Sequence, residues 1–319
     1  MYKFNVILFT TLLLFVACGS NGKNESSDNP QIQNNHSSKE PRGVLTFDEY
    51  DNYTNRRSSI ISVSLDTEDE FGYKVASGSM PSRHQKGKVV FREGCGAESL
   101  QLSILDTQGH SKPITPCIHN RQFSYLQSKI SPDESKIFTI IQYLVSNQDS
   151  YTGSTYENKA LVFDMEGNLI LEQKYAISGD WLPDGRLMLS AGNGLFLLDK
   201  NLENLQRIDN NQLGSAPYNI DVSPSGKQVV FEYNEQIWIM NTDGTNLKNL
   251  LVNSKTLKYP TWSPDEQYIA YFAHGVQEWY DGYIYFFNIK EKKHYNMGAK
   301  KIFSGPLYPE IIGPLSWTQ

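Results

Sequence analysis

The sequence predicts an all-β protein: a six-bladed β-propeller of four-stranded antiparallel blades, its ring closed by a C-terminal strand a joined to N-terminal strands b to d. Three observations carry this. A polar turn recurs along the chain as Ser131-Pro132-Asp133-Glu134, Leu182-Pro183-Asp184-Gly185, Ser223-Pro224-Ser225-Gly226 and Ser263-Pro264-Asp265-Glu266, with a weaker form at Lys86-Gly87-Lys88. A strand ending on an Asx-initiated turn recurs six times, its Asx residues being Asp66, Asp106, Asp164, Asp199, Asn241 and Asn288. These lie 40, 58, 35, 42 and 47 residues apart, and a mean near 44 is the period of propeller blades.

The stretch Ser223 to Leu250 shows one blade's logic. Proline presets φ, glycine accepts φ > 0, and an Asx side chain accepts the backbone N–H two residues on, so each polar cluster makes a turn. Between the turns, Gln228 to Tyr233 and Gln236 to Met240 are rich in Val, Ile, Phe, Tyr and Trp, residues that suit a half-buried pleated surface. One such sheet cannot bury both its faces, so it needs copies beside it.

Strand a precedes each polar turn: Tyr125 to Ile130, Ile177 to Trp181, Asn219 to Val222 and Tyr259 to Trp262. The chain ends on the same signature, Pro314-Leu315-Ser316-Trp317-Thr318, with no further strands. At the other end, Gly43 to Asp48, Ser59 to Leu65 and Tyr73 to Ala76 read as strands b, c and d with no strand a before them. The two fragments complete one blade and remove two exposed sheet edges.

The polar turn, strand and Asx turn, best at Ser223 to Leu250 and Ser263 to Met297, resemble the TolB-type β-propeller repeat. The resemblance spans Gly43 to Gln319 and is degenerate in the first two blades. It implies the propeller fold and, since TolB is a periplasmic protein that binds partner proteins, a binding role. It assigns no chemistry, because its polar residues make turns.

Ahead of the propeller, Lys3 is followed by the apolar run Phe4 to Ala17 and then Cys18. Fourteen residues are few for a membrane span and suit the h-region of an export signal. Phe15-Val16-Ala17-Cys18 resembles a bacterial lipobox, which makes residues 1–17 a signal peptide and Cys18 the acylated N-terminus of the mature protein. Gly19 after Cys18 favours the outer membrane over the inner. Residues 18–42, with many Asn, Ser, Gln and Lys side chains, read as a flexible tether. The expected location is the bacterial cell envelope, lipid-anchored, with the propeller in the periplasm or at the cell surface.

The full chain carries 29 basic and 35 acidic residues, a formal charge of −6, which disfavours a nucleic-acid partner. Cys95 and Cys117 remain after acylation, an even remainder in an oxidising compartment, and are candidates for a disulfide.

The turn carboxylates repeat once per blade, which assigns them to turn capping rather than to acid–base chemistry. The Ser-Pro-Asp turns lack the Gly-x-x-Trp of a sialidase Asp-box. No HExxH, CxxC or GxSxG pattern occurs, so no metal, no cofactor and no catalytic residue is assigned. His84, His110 and His119 fall in or near one blade but lack metal-ligand spacing.

What differs between blades is more informative. Residues 146–158 and 273–282 lengthen two b–c connections, while 116–124, 209–217 and 298–313 are long d–a connections. Both kinds emerge on one face of a propeller. They carry Tyr151, Tyr156, His274, Trp279, Tyr280, Phe303 and Tyr308, the candidate binding rim, because loop aromatics on a rigid scaffold are recognition candidates. The expected function is a non-enzymatic envelope lipoprotein that binds a protein or peptidoglycan-associated partner. The alternative is an enzyme or sensor acting on envelope saccharides through the central funnel.

Overall fold

In the computed structural model, residues 41–51, 57–66, 72–97, 99–119, 123–147, 154–209, 212–251, 256–274, 282–295, 310–311 and 313–319 are described. The closing blade begins with β1 (Val44–Asp51), β2 (Arg57–Ser64) and β3 (Tyr73–Ser77). The second holds β4 (Ser79–Arg83), β5 (Val89–Gly96), β6 (Ser99–Leu105), β7 (Ser111–Pro113) and the short β8 (Ile118–His119), which also pairs with β6. The third holds β9 (Phe123–Ile130), β10 (Lys136–Asn147), β11 (Ser154–Asp164) and β12 (Leu169–Lys174). The fourth holds β13 (Ala176–Trp181), β14 (Leu187–Ala191), β15 (Gly194–Leu198) and β16 (Gln206–Arg207). The fifth holds β17 (Tyr218–Val222), β18 (Gln228–Tyr233), β19 (Gln236–Asn241) and β20 (Lys248–Leu251). The sixth holds β21 (Thr256–Trp262), β22 (Tyr268–His274), β23 (Gly282–Asn288) and β24 (Lys293–Tyr295). Finally β25 (Glu310–Ile311) and β26 (Ser316–Thr318) both pair antiparallel with β1.

Six antiparallel blades in this order are a six-bladed propeller, and the ring closes as the repeat pattern requires. Val44, Leu45 and Thr46 face Thr318, Trp317 and Ser316 across the seam. The seam is packed as well as hydrogen-bonded. Leu45, Phe47 and Trp317 share one buried cluster with Tyr268 and Phe286 of the sixth blade, and the Phe286 and Trp317 rings meet edge-on with centroids 5.2 Å apart.

The turns work as their residues dictate. Asp133 Oδ1 accepts the Ser131 hydroxyl at 2.6 Å and the Ser135 N–H at 3.0 Å. Asp265 does the same with Ser263 and Gln267. At the c–d turns, Asp106, Asp164 and Asp199 each accept two backbone N–H groups. These hydrogen bonds to the charged form, with the Ser131 hydroxyl contributing most, hold the Asp133 carboxyl down at about 2. The carboxylates are turn caps.

Every strand a of blades two to six carries a register shift against its strand b. A bulge frees a backbone N–H and turns the strand, and at three of these bulges a non-glycine residue takes positive φ: Met80 (53°), Asn219 (47°) and Tyr259 (54°). Two of the freed groups are caught by the preceding blade. Met80 N–H donates to Asp48 Oδ2 at 3.1 Å, and Tyr259 N–H donates to Glu232 Oε1. Strand b of one blade thus fixes the entry of the next blade's inner strand.

Candidate functional site

Antiparallel connectivity puts the a–b and c–d turns at one end of the propeller and the b–c and d–a connections at the other. At the a–b end the inner strands surround a cavity of about 230 Å³. Each blade contributes one side chain at the same register position, Ser82, Lys129, Asp180, Asp221, Thr261 and Ser316 in ring order. In the four blades with a turn proline this is the third residue before it.

The charged half of the ring is internally paired. Lys129 Nζ lies 2.9 Å from Asp180 Oδ2 and 2.5 Å from Asp221 Oδ1. Burial works to lower the Lys129 ammonium, but the two carboxylates outweigh it and hold its pKa above the ordinary lysine value. Burial pushes the Asp180 carboxyl up to about 6, against the pull of Lys129 and with the Asp221 charge adding to the rise.

The same carboxylates also hold the ring together. Asp180 Oδ2 accepts the Val222 N–H at 2.7 Å, and Asp221 Oδ2 accepts the Trp262 N–H at 2.8 Å and the Thr261 hydroxyl at 3.1 Å. On the hydroxyl side Ser316 Oγ accepts the Arg83 N–H at 3.0 Å. Each bond runs from one blade to the next. The indole N–H groups of Trp181 and Trp262 reach back to the Lys129 and Asp221 carbonyls of the preceding blade, at 3.3 and 3.1 Å. The arrangement can anchor blades and present a polar, walled mouth. Its acids are spent on protein donors.

Sequence reasoning missed this ring. A signal was present, since counting back three residues from each turn proline gives Lys129, Asp180, Asp221 and Thr261. The residue types differ from blade to blade, so the position does not stand out as a motif.

The opposite end is where the candidate rim was placed. Tyr151, Trp279, Tyr280, Phe303 and Tyr308 lie outside the described residues. His274 ends β22 and faces Gly282 across the hairpin. Tyr156 is 54 % exposed, but it stands on a strand and not in a loop. The insertion after Ser146 continues the ladder, with Ser146 facing Thr155 and Asn147 facing Ser154, because Thr155 and Tyr156 suit a strand. The third blade therefore has a tall hairpin, β10 and β11 being 12 and 11 residues long against 5 and 5 for β14 and β15 of the fourth. Two tyrosines not singled out from sequence, Tyr175 and Tyr218, are exposed at this end too.

Cys95 and Cys117 form a disulfide with Cα atoms 6.0 Å apart. It ties the end of β5 to the chain entering β8, at the b–c end of the second blade. Among the described residues no group of three or more His, Cys, Asp or Glu side chains could hold a metal ion. His119 pairs with the Ser99 hydroxyl and His294 with the Tyr271 hydroxyl. Cys18 and most of the tether also lie outside the described residues. Beside the channel mouth the Arg42 carbonyl accepts the Trp317 indole N–H at 2.7 Å.

No family model matches this chain, and no curated protein matches it. Solved structures do. TolB from Acinetobacter baumannii superposes with a TM-score of 0.61 at 14 % identity, covering 87 % of this chain and 67 % of that one. A putative TolB from Agrobacterium tumefaciens gives 0.52 at 12 % identity, covering 81 % and 88 %. An acylaminoacyl peptidase in complex with a chloromethyl ketone gives 0.51 at 13 % identity, covering 82 % of this chain but only 45 % of the peptidase. This likeness establishes the fold. Neighbours that include both TolB proteins and a peptidase leave activity to be argued from this chain's own residues.

Proposed function

We propose that this chain is a non-enzymatic binding propeller of the bacterial envelope, exported and lipid-anchored through Cys18, which holds an envelope protein or peptidoglycan-associated partner on its b–c/d–a face. The observation that carries the reading is the contrast between the two ends. At the channel mouth Lys129, Asp180 and Asp221 are consumed by one another and by backbone N–H groups of neighbouring blades. At the opposite end Tyr156, Tyr175 and Tyr218 are exposed on or beside strands, and their hydroxyls have no hydrogen-bond partner among the described residues. Exposed aromatic rings on a rigid frame are the usual anchors of recognition.

A second reading, an enzyme or sensor working on envelope saccharides through the funnel, is favoured by one feature: a carboxyl at about 6 on the wall of a walled cavity. The discriminating experiment is a photo-crosslinking amino acid placed at Tyr218 or at Gln85, which is exposed at the channel mouth. In intact cells the partner is captured from Tyr218 and not from Gln85. Capture from Gln85 alone would move the site to the funnel. Fractionation tests the anchor, since Cys18→Ser releases the protein from membranes.

A further inference from the structure

The exposed tyrosines at the b–c/d–a end are not scattered, and hydrogen bonds place them around one short hairpin. Tyr175 N–H donates to the Asn158 carbonyl at 2.9 Å, which sets Tyr175 beside β11 one strand step from Tyr156, within reach of an aromatic side chain. Alternate residues of a strand share a face. Ala160 and Val162 of β11 pack into the cluster shared with the fourth blade, so Tyr156 looks toward the fourth blade as well. Gly192 N–H donates to the Tyr175 carbonyl at 3.1 Å. Two residues earlier, the Ser190 hydroxyl donates to the Pro217 carbonyl at 2.5 Å, which sets Tyr218 on the other flank of the same hairpin. That hairpin is the two-residue turn Gly192-Asn193, where Ala191 faces Gly194. A step therefore lies above the fourth blade, with Tyr156 and Tyr175 on its tall side and Tyr218 on its far side.

Tyr175 is the notable member. It is 62 % exposed, the highest among the exposed large apolar residues, and its φ is +62°. An aromatic residue pays conformational free energy to sit there, and such outliers point toward function.

Among the described residues, the polar groups on the step's side of the third blade are neutral or already paired, Lys174 standing opposite Lys159 on the other face. The Gln142 amide donates to Asn158 Oδ1 at 3.2 Å. Arg207 donates to Asn193 Oδ1 at 2.9 Å, while its charge is met by Asp209 at 2.6 Å. Lys159 pairs with Glu172 on the other face of the third blade. Aromatic faces with amides and, among the described residues, no free charge suit the apolar face and hydroxyls of a pyranose ring, whereas an acidic or basic peptide would find no counter-charge among them.

We propose that the step above the fourth blade is a binding site for a neutral oligosaccharide, stacked on Tyr175 and Tyr218. This rests on the b–c/d–a face being the binding face and names the chemistry of what it holds.

The test uses the full chain in detergent, titrated by calorimetry with short soluble oligomers of β-linked glucose and of β-linked N-acetylglucosamine. At least one series binds at millimolar concentration or better. Tyr175→Gly and Tyr218→Ala each weaken it roughly tenfold, while Tyr73→Ala, an exposed tyrosine at the a–b end, does not. Tyr175→Gly is the sharp variant, because glycine takes φ > 0 freely and melting stays within a few degrees of wild type. No binding by either series, or binding that survives both step variants, overturns the proposal. If Tyr218 still crosslinks a protein in cells under that outcome, the face stands and only the oligosaccharide falls. If Gln85 alone crosslinks, the face falls with it.

Discussion

At the a–b end of the channel, the Lys129 ammonium sits within 2.9 Å of both the Asp180 and the Asp221 carboxylates, three largely buried charges from three successive blades. At the b–c/d–a end, three tyrosines around one hairpin stand in water with their hydroxyls unpaired among the described residues. Both sets are polar or amphipathic side chains of blades three to five and the connections between them. They differ in what a substitution would cost. The charges are buried, so each one left alone is penalised by desolvation. The tyrosines are exposed, so their loss costs folding little. The difference separates groups that hold the ring from groups free to hold something else.

The largest effect should come from breaking the ring itself. Deleting Pro314 to Gln319 removes β26 and the Trp317 ring from the seam and exposes two sheet edges. Thermal unfolding should lose its cooperative transition or shift down by on the order of 10 °C or more. Unchanged melting would mean that the ring does not depend on this strand.

Next is the ion group. Lys129→Met leaves Asp180 and Asp221 facing each other without their cation, and chemical denaturation should show a loss of about 3–5 kcal/mol. Adding Asp180→Asn and Asp221→Asn should recover part of it, because the orphaned charges are gone. A single variant as stable as wild type would show that the cluster holds nothing.

Smaller still is a pH effect that separates buried from exposed carboxyls. Asp48 is fully buried, with Oδ1 unpaired and Oδ2 on the Met80 N–H. Burial pushes it up to about 6, against that hydrogen bond and the Arg92 charge. A raised folded pKa means that its favourable contribution is complete below the unfolded value near 3.8 and is lost as pH rises through 6. Asp133, held at about 2, behaves oppositely: its contribution is present above 3.8 and is lost as pH falls through 2. Stability should therefore rise on going from pH 7 to pH 5, and Asp48→Asn should remove about 1 kcal/mol of that rise. A variant with the wild-type pH profile would refute the assignment.

Much of this molecule could be read from its sequence, and the reason is repetition. Turn residues act locally, so Pro183, Gly226 and Asp265 declare their turns wherever they stand, and six copies fix the blade count. The seam was legible because β26 carries the strand-a signature without a following turn. The ring of Ser82, Lys129, Asp180, Asp221, Thr261 and Ser316 was not. Those residues are brought together by the closing of the ring, and their types differ. Tyr156 was read as a loop residue because Gly and Asn nearby look like loop, yet cross-strand pairing extended the hairpin through it. Tyr175 was invisible, since nothing in a sequence announces a tyrosine at positive φ.

If the channel ions build the ring and the far face does the binding, the two roles separate on substitution. The most direct measurement compares two variants, Lys129→Met/Asp180→Asn/Asp221→Asn and Tyr175→Gly/Tyr218→Ala, for melting temperature and for partner capture per folded molecule. The expected result is a shifted melting temperature with unchanged capture in the first, and unchanged melting with capture reduced roughly tenfold in the second. A channel variant that melts like wild type and no longer captures the partner would contradict it.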